Sequence, residues 1–169
     1  PDAGYSFDYW LLDGEENKEN PITVIMDSNH SLEAFFVDDI PPEISDPIQE
    51  PPEDVEPYQN VTVTVNVTDL GTGVYNVTLW YSLDNGTTWM PLNMIEISTN
   101  TYQAMIPGYE NCTWVTYKII AYDNEGNQAT KDNHGYNYIY HVIPELSIMA
   151  IFLLFMALTI VAVALTKKR

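Results

Sequence analysis

The fold of this chain is decided by one stretch, VTVTVNVT, at residues 61–68. Every odd position is valine, and every even position is threonine or asparagine. Because successive side chains of an extended chain point to opposite faces, this period of two predicts a β-strand with one buried face and one exposed face. The four valines are therefore predicted to be buried.

The segments that follow show the same alternation. Apolar residues recur at every second position of residues 76–83 and 115–121, and further strands are predicted at 101–106 and 136–142. The residues Asp84-Asn85-Gly86 favour a tight hairpin, because they tolerate positive φ angles, and residues 87–92 form the returning strand. Short strands separated by frequent turn signals over about 100 residues predict an all-β, immunoglobulin-like or fibronectin III-like sandwich.

Residues 41–142 also resemble prokaryotic surface Ig-like modules. Those modules commonly open with a PPxI segment, which is PPEI at residues 41–44 here. They carry a hairpin similar to YSLDNGTTW at residues 81–89, and they end a late strand with a segment similar to YKIIAYDNEGN at residues 117–127. The resemblance implies the fold and leaves the ligand open.

Residues 1–37 are a separate segment that contains GYSFDYWLLDG, NPITVIMD and SLEAFFV. The segment resembles the divergent InlB-type B repeat, a small β-rich module found in tandem on microbial surface proteins. The repeat normally begins with strands that are missing here, so we expect a partial copy with exposed apolar residues and low stability of its own. Because residue 1 is proline and not methionine, the chain is expected to be a piece of a longer or processed polypeptide.

Between these two regions, residues 38–57 read DDIPPEISDPIQEPPEDVEP, with eight acids, six prolines and no cation. Proline removes ladder donors and like charges extend a chain, so this composition predicts a stiff, acidic linker. Ile44 and Ile48 indicate that part of the linker lies as a short edge strand on the sandwich.

The C-terminal region predicts a membrane anchor. Residues 146–166, LSIMAIFLLFMALTIVAVALT, carry no charge over 21 positions. As a helix they would span roughly 31 Å, which matches the hydrocarbon core of a bilayer. The basic tail Lys167-Lys168-Arg169 then places the C-terminus in the cytoplasm and residues 1–145 on the extracellular side, by the positive-inside rule.

Residues 143–145, Ile-Pro-Glu, stand directly before that segment. A proline and an acid, then an apolar span and a short basic tail, resemble the archaeal PEF-CTERM and PGF-CTERM sorting signals, although Leu146 stands where the PEF motif has phenylalanine. The resemblance implies an archaeosortase-like partner and cleavage near Pro144-Glu145, with transfer of the ectodomain to another anchor such as a lipid. The alternative is a plain anchor in which Pro144 stops a strand and starts a helix.

The charge and the motif content exclude several functions. With 24 acidic and 6 basic residues, the chain has a formal net charge of −18 and repels nucleic-acid phosphates. A single cysteine, Cys112, excludes an intrachain disulfide and a cysteine-based zinc site. There is no HExxH, GxSxG, Walker or GxGxxG motif, and the three histidines are scattered, so we expect no enzymatic activity.

Two kinds of candidate site remain. Asn-x-Ser/Thr triplets occur six times, where chance gives about two, and we expect several of them to carry glycans in the native host. They are Asn29, Asn60, Asn66, Asn76, Asn85 and Asn111. Loops at one end of an immunoglobulin-like sandwich would also gather Asp69, Asp123, Glu125 and Asp132 into a weak Ca²⁺ site, with an affinity of about 10⁻⁴ to 10⁻³ M. The alternative is that these acids are simply solvated, and no other cofactor is expected.

These observations predict a membrane-anchored, extracellular structural and adhesive module of a larger archaeal surface protein. Such a module would present upstream domains at the cell envelope and contact surface proteins or glycans. The alternative is the membrane-proximal stalk of a secreted hydrolase or a solute-binding receptor, whose functional domain lies upstream. The gene sequence upstream of Pro1 would distinguish the two.

Overall fold

The computed structural model describes residues 1–52 and 55–143, and within these ranges every regular element is a β-strand. Thirteen strands form three sheets. Their bounds are β1 Ser6–Leu12, β2 Glu15–Asn17, β3 Leu32–Val37, β4 Glu43–Ile44, β5 Ile48–Glu50, β6 Val61–Thr68, β7 Val74–Ser82, β8 Met90–Asn93, β9 Ile95–Ser98, β10 Thr101–Ile106, β11 Trp114–Asp123, β12 Gln128–Lys131 and β13 Tyr138–His141. The chain is therefore all-β over its described part.

Two five-stranded sheets form a β-sandwich, as the sequence predicts. In the first sheet the strand order is β4-β6-β10-β9, with β5 also paired to β6. In the second the order is β12-β11-β7-β8, with β13 also paired to β11. The chain crosses from one sheet to the other between β8 and β9 at Met94, which is 7% exposed and donates its backbone N–H to the carbonyl of Val77 over 2.9 Å.

The core of the sandwich consists of the apolar faces that the alternation predicts. The odd-numbered valines of β6 are at most 2% exposed, while its threonines and asparagine stay half-buried or exposed. The facing residues of β7 and β11 are also buried, with at most 6% exposure, because their alternation has the same period. These buried residues of the second sheet are Val77, Leu79, Tyr81, Val115, Tyr117, Ile119 and Ala121.

The chain enters the sandwich at one end. Glu43 of β4 lies opposite Thr68, at the last residue of β6, and Glu50 of β5 lies opposite Thr62, near its first residue. The acidic segment therefore runs along β6 from its end back to its start. Val55 follows and is fully buried. More of the predicted linker therefore belongs to the sandwich than the short edge strand predicted from Ile44 and Ile48.

The chain leaves at the opposite end. His141 of β13 lies opposite Trp114, the first residue of β11, and Val142 forms a parallel bridge with Val55. We call this the exit end, where β6 and β11 begin. The end where β6 and β11 terminate is the junction end, because the N-terminal segment reaches the sandwich there.

The N-terminal sheet has the order β2-β1-β3 and has no buried strand residue. Every residue of β1 is half-buried and every residue of β3 is exposed. Phe35 and Phe36 are 37% and 45% exposed, although Phe35 stacks on Tyr9 with 4.7 Å between ring centroids. The expected exposure of apolar side chains is therefore observed, whereas the assignment of this segment to a partial InlB-type repeat stays a prediction.

Within the sandwich, two strands, β9 and β12, have no counterpart in the sequence prediction. Both are four-residue strands at sheet edges, where alternation is too short to stand out. In the part of the chain that the structure describes, no helix is long and apolar enough to cross a membrane. The predicted span at residues 146–166, the basic tail at 167–169 and the motif residues Pro144, Glu145 and Leu146 lie outside the described residues.

Candidate functional site

Three carboxylates converge at the junction end of the sandwich. One side-chain oxygen from each of Asp38, Asp69 and Asp123 lies within 4.8 Å of the other two. Asp38 follows β3, Asp69 follows β6, and Asp123 is the last residue of β11. We call them the junction carboxylates. Asp38 and Asp123 are only 3% and 1% exposed, and Asp69 is half-buried, so the group lies largely out of contact with solvent.

Asp38 is held by the loop that precedes β7. Its Oδ2 accepts hydrogen bonds from the Thr72 backbone N–H at 2.7 Å and from the Thr72 hydroxyl at 2.8 Å. Its Oδ1 accepts the Ile40 backbone N–H at 3.2 Å. The hydrogen bond from the Thr72 backbone is the main cause of a lowered pKa for the Asp38 carboxyl, because it favours the charged form.

Asp69 is held by its own loop through one oxygen only. Its Oδ2 accepts the backbone N–H groups of Gly71 at 3.0 Å and of Gly73 at 2.8 Å. Its Oδ1 has less than 1 Å² of exposed surface and accepts no hydrogen bond from the described residues. A buried acceptor without a donor is costly, so this oxygen marks a polar interaction that the described side chains do not supply.

Asp123 closes the turn after β11. Its Oδ1 accepts the backbone N–H groups of Glu125 at 3.0 Å and Asn127 at 2.8 Å, and its Oδ2 accepts the Asn127 side-chain amide at 2.7 Å. The same amide of Asn127 donates to the backbone carbonyl of Asp38 at 2.9 Å. This one side chain therefore ties the N-terminal segment to the end of β11.

No basic side chain among residues 1–52 and 55–143 forms an ion pair with the junction carboxylates. The ion pairs of that region involve Lys18, His30 and Lys131, whose partners are other acids. Like charges in a largely buried site repel one another and are poorly screened by salt. The cluster is thus a concentration of negative potential without a matching positive group in the described protein.

The structure divides the four acids that the sequence proposed as a calcium site. It brings Asp69 and Asp123 together. Glu125 is exposed on the turn after β11, and only its backbone N–H reaches Asp123. Asp132 lies in the turn between β12 and β13, where its carboxylate accepts the Gly135 backbone N–H at 3.0 Å. Neither Glu125 nor Asp132 belongs to the group of carboxylates whose oxygens lie within 4.8 Å of one another.

Asp38 is the member that sequence reasoning missed. In the sequence it is one of eight acids in a proline-rich segment that predicts a linker, and nothing local separates it from Asp39. In the structure Asp38 is 3% exposed, whereas Asp39 is exposed and accepts the Ser6 hydroxyl at 2.9 Å. Only the position of the N-terminal segment against the sandwich distinguishes the two.

All six asparagines of the predicted glycosylation triplets are exposed. Two of them use their side chains within the protein: the Asn60 amide donates to Met105 Sδ at 3.2 Å, and Asn66 Oδ1 accepts the Thr101 hydroxyl at 2.9 Å. Asn85 lies at the tip of the β7–β8 hairpin with a φ of 54°, as predicted for a tight turn. A glycan is attached to the asparagine side chain, and exposure of the residue, which all six positions have, is a precondition for that.

No protein-family model matches this chain, and no curated protein matches it.

Proposed function

We propose that this chain is a membrane-anchored extracellular structural module, which holds the polypeptide before it away from the membrane as part of an archaeal surface protein. The described residues would form an immunoglobulin-like domain preceded by part of an InlB-type repeat. The predicted span at residues 146–166 would anchor the module, with the basic tail in the cytoplasm.

The order of strands supports an immunoglobulin-like arrangement. β6 and β10 are central in one sheet, β7 and β11 are central in the other, and the first strands lie at the edge beside β6. The crossing at Met94 moves the chain from the second sheet back to the first, as connections between the sheets of such sandwiches do. This topology carries no activity of its own, and the function must come from how the module is used.

The observation that carries the proposal is that the chain enters and leaves at opposite ends of the sandwich. β11 connects these ends with 10 residues, which corresponds to roughly 33 Å at the usual rise of a strand. A module with this connectivity keeps its two neighbouring segments apart by its full length. Domains whose termini lie side by side cannot act as spacers in this way.

The terminal strands are also arranged to bear tension. Tension between the two ends would pull β4 and β5 along β6, and β13 along β11, so several ladder hydrogen bonds would have to break together. At the exit end the Ile143 backbone N–H donates to the Val55 carbonyl at 3.0 Å, and Val142 forms backbone hydrogen bonds with Cys112 and Thr113. These contacts fasten the last described residues to the sandwich.

The surface supports an extracellular location. A net charge of −18 keeps a module soluble beside other envelope components, and the six exposed asparagine triplets provide glycan acceptors. Processing at residues 143–145 by an archaeosortase-like enzyme and adhesion to surface proteins or glycans stay predictions.

Cysteine labelling tests the proposed topology, because Cys112 is the only cysteine of the chain and is exposed near the exit end. The full chain would be exported from an archaeal host, and intact cells would be treated with a membrane-impermeant maleimide. We expect labelling of Cys112 in the membrane fraction without permeabilisation.

The matched control is the double variant Cys112→Ser, Arg169→Cys, which moves the thiol to the predicted cytoplasmic tail. We expect no labelling of this variant in intact cells. Labelling of Cys112 only after permeabilisation, equal labelling of both proteins in intact cells, or recovery of the chain in the soluble fraction of lysed cells would each contradict the proposal.

A further inference from the structure

We propose that Asp38, Asp69 and Asp123 bind one Ca²⁺ ion, which fastens the N-terminal sheet to the junction end of the sandwich. This inference goes beyond the spacer function and does not depend on the membrane anchor. It also differs from the site expected from the sequence, because Asp38 replaces Glu125 and Asp132.

The spacing of the three carboxylates suits a shared ion. Calcium binds oxygen ligands at about 2.3–2.6 Å, so two ligands of one ion lie at most about 5 Å apart. The oxygens of the junction carboxylates lie within 4.8 Å of one another. Calcium accepts irregular oxygen sets completed by water or carbonyl groups, whereas Mg²⁺ requires near-octahedral geometry at shorter distances. Three carboxylates delivered by three separate segments favour calcium.

A second observation points to a ligand independently of the acidic character of the cluster. Asp69 Oδ1 is buried to less than 1 Å² of exposed surface and has no hydrogen-bond donor among the described residues. Hydration cannot satisfy an oxygen that solvent does not reach, and a bound cation would. The opposite oxygen of the same carboxylate is fixed by two backbone N–H groups, which keeps the side chain from turning outward.

The surrounding hydrogen bonds provide the support that metal ligands need. Carboxylates that bind metals are usually oriented by further donors. Backbone N–H groups from Thr72, Gly73 and Asn127 each donate to a different junction carboxylate. Each of the three oxygens that accept these bonds also accepts a second one, from the Thr72 hydroxyl, Gly71 or Glu125. The other oxygen of each carboxylate accepts at most one hydrogen bond, which leaves a lone pair for an ion.

Binding at this position would join two parts of the chain. Asp38 belongs to the segment that leaves the N-terminal sheet, and the other two ligands belong to the sandwich. The two parts already touch closely: a Cβ on Gly4 would lie 2.5 Å from the Leu70 carbonyl carbon, and a Cβ on Gly71 would lie 2.2 Å from Asp38 Oδ2. An ion would add a positive charge to a contact at which the described residues place three carboxylates and no ion-paired base.

The test uses the full chain in detergent micelles. Calcium chloride is titrated into chelator-treated protein by isothermal calorimetry, and thermal unfolding is followed in EDTA and in about 10 mM Ca²⁺. We expect one saturable site with a Kd of about 10⁻⁵ to 10⁻³ M. We also expect a rise of several degrees in Tm, because a ligand that binds only the folded state stabilises it by mass action. The same concentration of Mg²⁺ should have a smaller effect.

Matched variants locate the site. Asp69→Asn should weaken calcium binding at least tenfold and remove the calcium-dependent rise in Tm, and Asp38→Asn provides the same test from the N-terminal segment. Glu125→Gln and Asp132→Asn also remove one acid each near the sandwich loops, and both should bind calcium like the original protein. Circular dichroism in EDTA verifies that each variant is folded.

Four results would overturn the proposal. They are no saturable heat with the original protein, an equal rise in Tm with Mg²⁺, unchanged calcium binding in both Asp69→Asn and Asp38→Asn, and an equal loss in Glu125→Gln or Asp132→Asn. Should neither cluster variant fold, the titrations of the original protein with the two metals and of the two control variants still decide the question.

Discussion

The N-terminal sheet and the sandwich are made of similar strands, but only the sandwich buries them. β1 and β6 have 7 and 8 residues, and both pair with neighbours on two sides. The valines of β6 are at most 2% exposed, whereas Phe36 on β3 is 45% exposed. The difference is a second layer: β6 faces another sheet across the core, and no described strand of the N-terminal sheet is buried in that way.

Strand pairing and apolar content therefore do not make a core by themselves. Hydrophobic stabilisation is proportional to the apolar area removed from water. An apolar side chain on an uncovered sheet therefore contributes only part of the stabilisation that it would give if fully buried. The N-terminal sheet compensates by packing its aromatic rings against each other, as Phe7 does with Trp10 at 5.2 Å and with Phe36 at 6.1 Å between centroids. Such pairs contribute about 1 kcal/mol each, less than a fully buried side chain.

Shortening a side chain in the core of the sandwich is expected to change the free energy of unfolding the most. Leu79 is fully buried between the sheets, so Leu79→Ala should lower the free energy of unfolding of the sandwich by about 3 kcal/mol, through lost burial and the cavity that remains. The matched change in the N-terminal sheet, Phe36→Ala, should cost about 1 kcal/mol or less there, because Phe36 is already 45% exposed. Urea unfolding of the full chain in micelles, followed by tryptophan fluorescence, measures both. Equal losses would show that the N-terminal sheet is as well covered as the sandwich.

Lowering the pH is expected to have an intermediate effect on the free energy of unfolding, through Asp84 in the hairpin between β7 and β8. Hydrogen bonds from the Thr88 hydroxyl, the Thr88 backbone and Ser82 lower the pKa of Asp84 from 3.8 to about 2. Because the pKa is lower in the folded state, the stabilisation is present above about pH 4 and is lost as the pH falls toward about 2. Asp84→Asn should therefore make the unfolding free energy less dependent on pH across this window.

The control for this experiment is Glu19→Gln, which removes an exposed carboxylate of the N-terminal region that accepts no hydrogen bond from the described residues. It should leave the pH dependence of the sandwich unchanged. A pH profile of Asp84→Asn that coincides with that of the original protein would show that the hairpin hydrogen bonds do not stabilise the folded state.

The smallest effect on stability is expected in the loop between β2 and β3 of the N-terminal segment, and it has the opposite pH direction. His30 contacts the Asp13 carboxylate through Nδ1 and lies 3.3 Å from Asp27 through Nε2, and the hydrogen bond to Asp13 is the main cause of a raised His30 pKa. A raised pKa means that this stabilisation is present below pH 6.5 and is lost as the pH rises through the higher folded value.

Hydrogen exchange between about pH 6 and 8, corrected for the intrinsic rates, measures this loosening. Amides of residues 27–31 should exchange a few-fold faster at the upper end of the range, and His30→Gln should remove the change. His134→Gln replaces an exposed histidine of the β12–β13 turn and should preserve it. If the exchange at residues 27–31 is independent of pH in the original protein, His30 does not hold this segment.

The local architecture of the sandwich follows from the amino-acid sequence. The alternation in residues 61–68 predicts β6 with its observed bounds, and the segment at 101–106 predicts β10 equally well. Local signals suffice because side-chain direction in a strand is set directly by the period of two. The hairpin at Asp84–Gly86 is also predicted from local residues, because asparagine and glycine tolerate the positive φ angles observed, 54° at Asn85 and 82° at Gly86.

The predicted fold class already placed Asp69 and Asp123 at one end of the sandwich, where β6 and β11 terminate. Which further residues join them depends on the packing of the whole chain. Asp38 shares no spacing or motif with them and joins them because the N-terminal segment reaches the sandwich at that end. Val55 is another case, since it belongs to a segment whose charge and prolines predict a linker but is fully buried beside Val142. Periodicity reports which face of a strand is apolar, whereas sheet order and the packing of one layer on another fix which strand ends are neighbours.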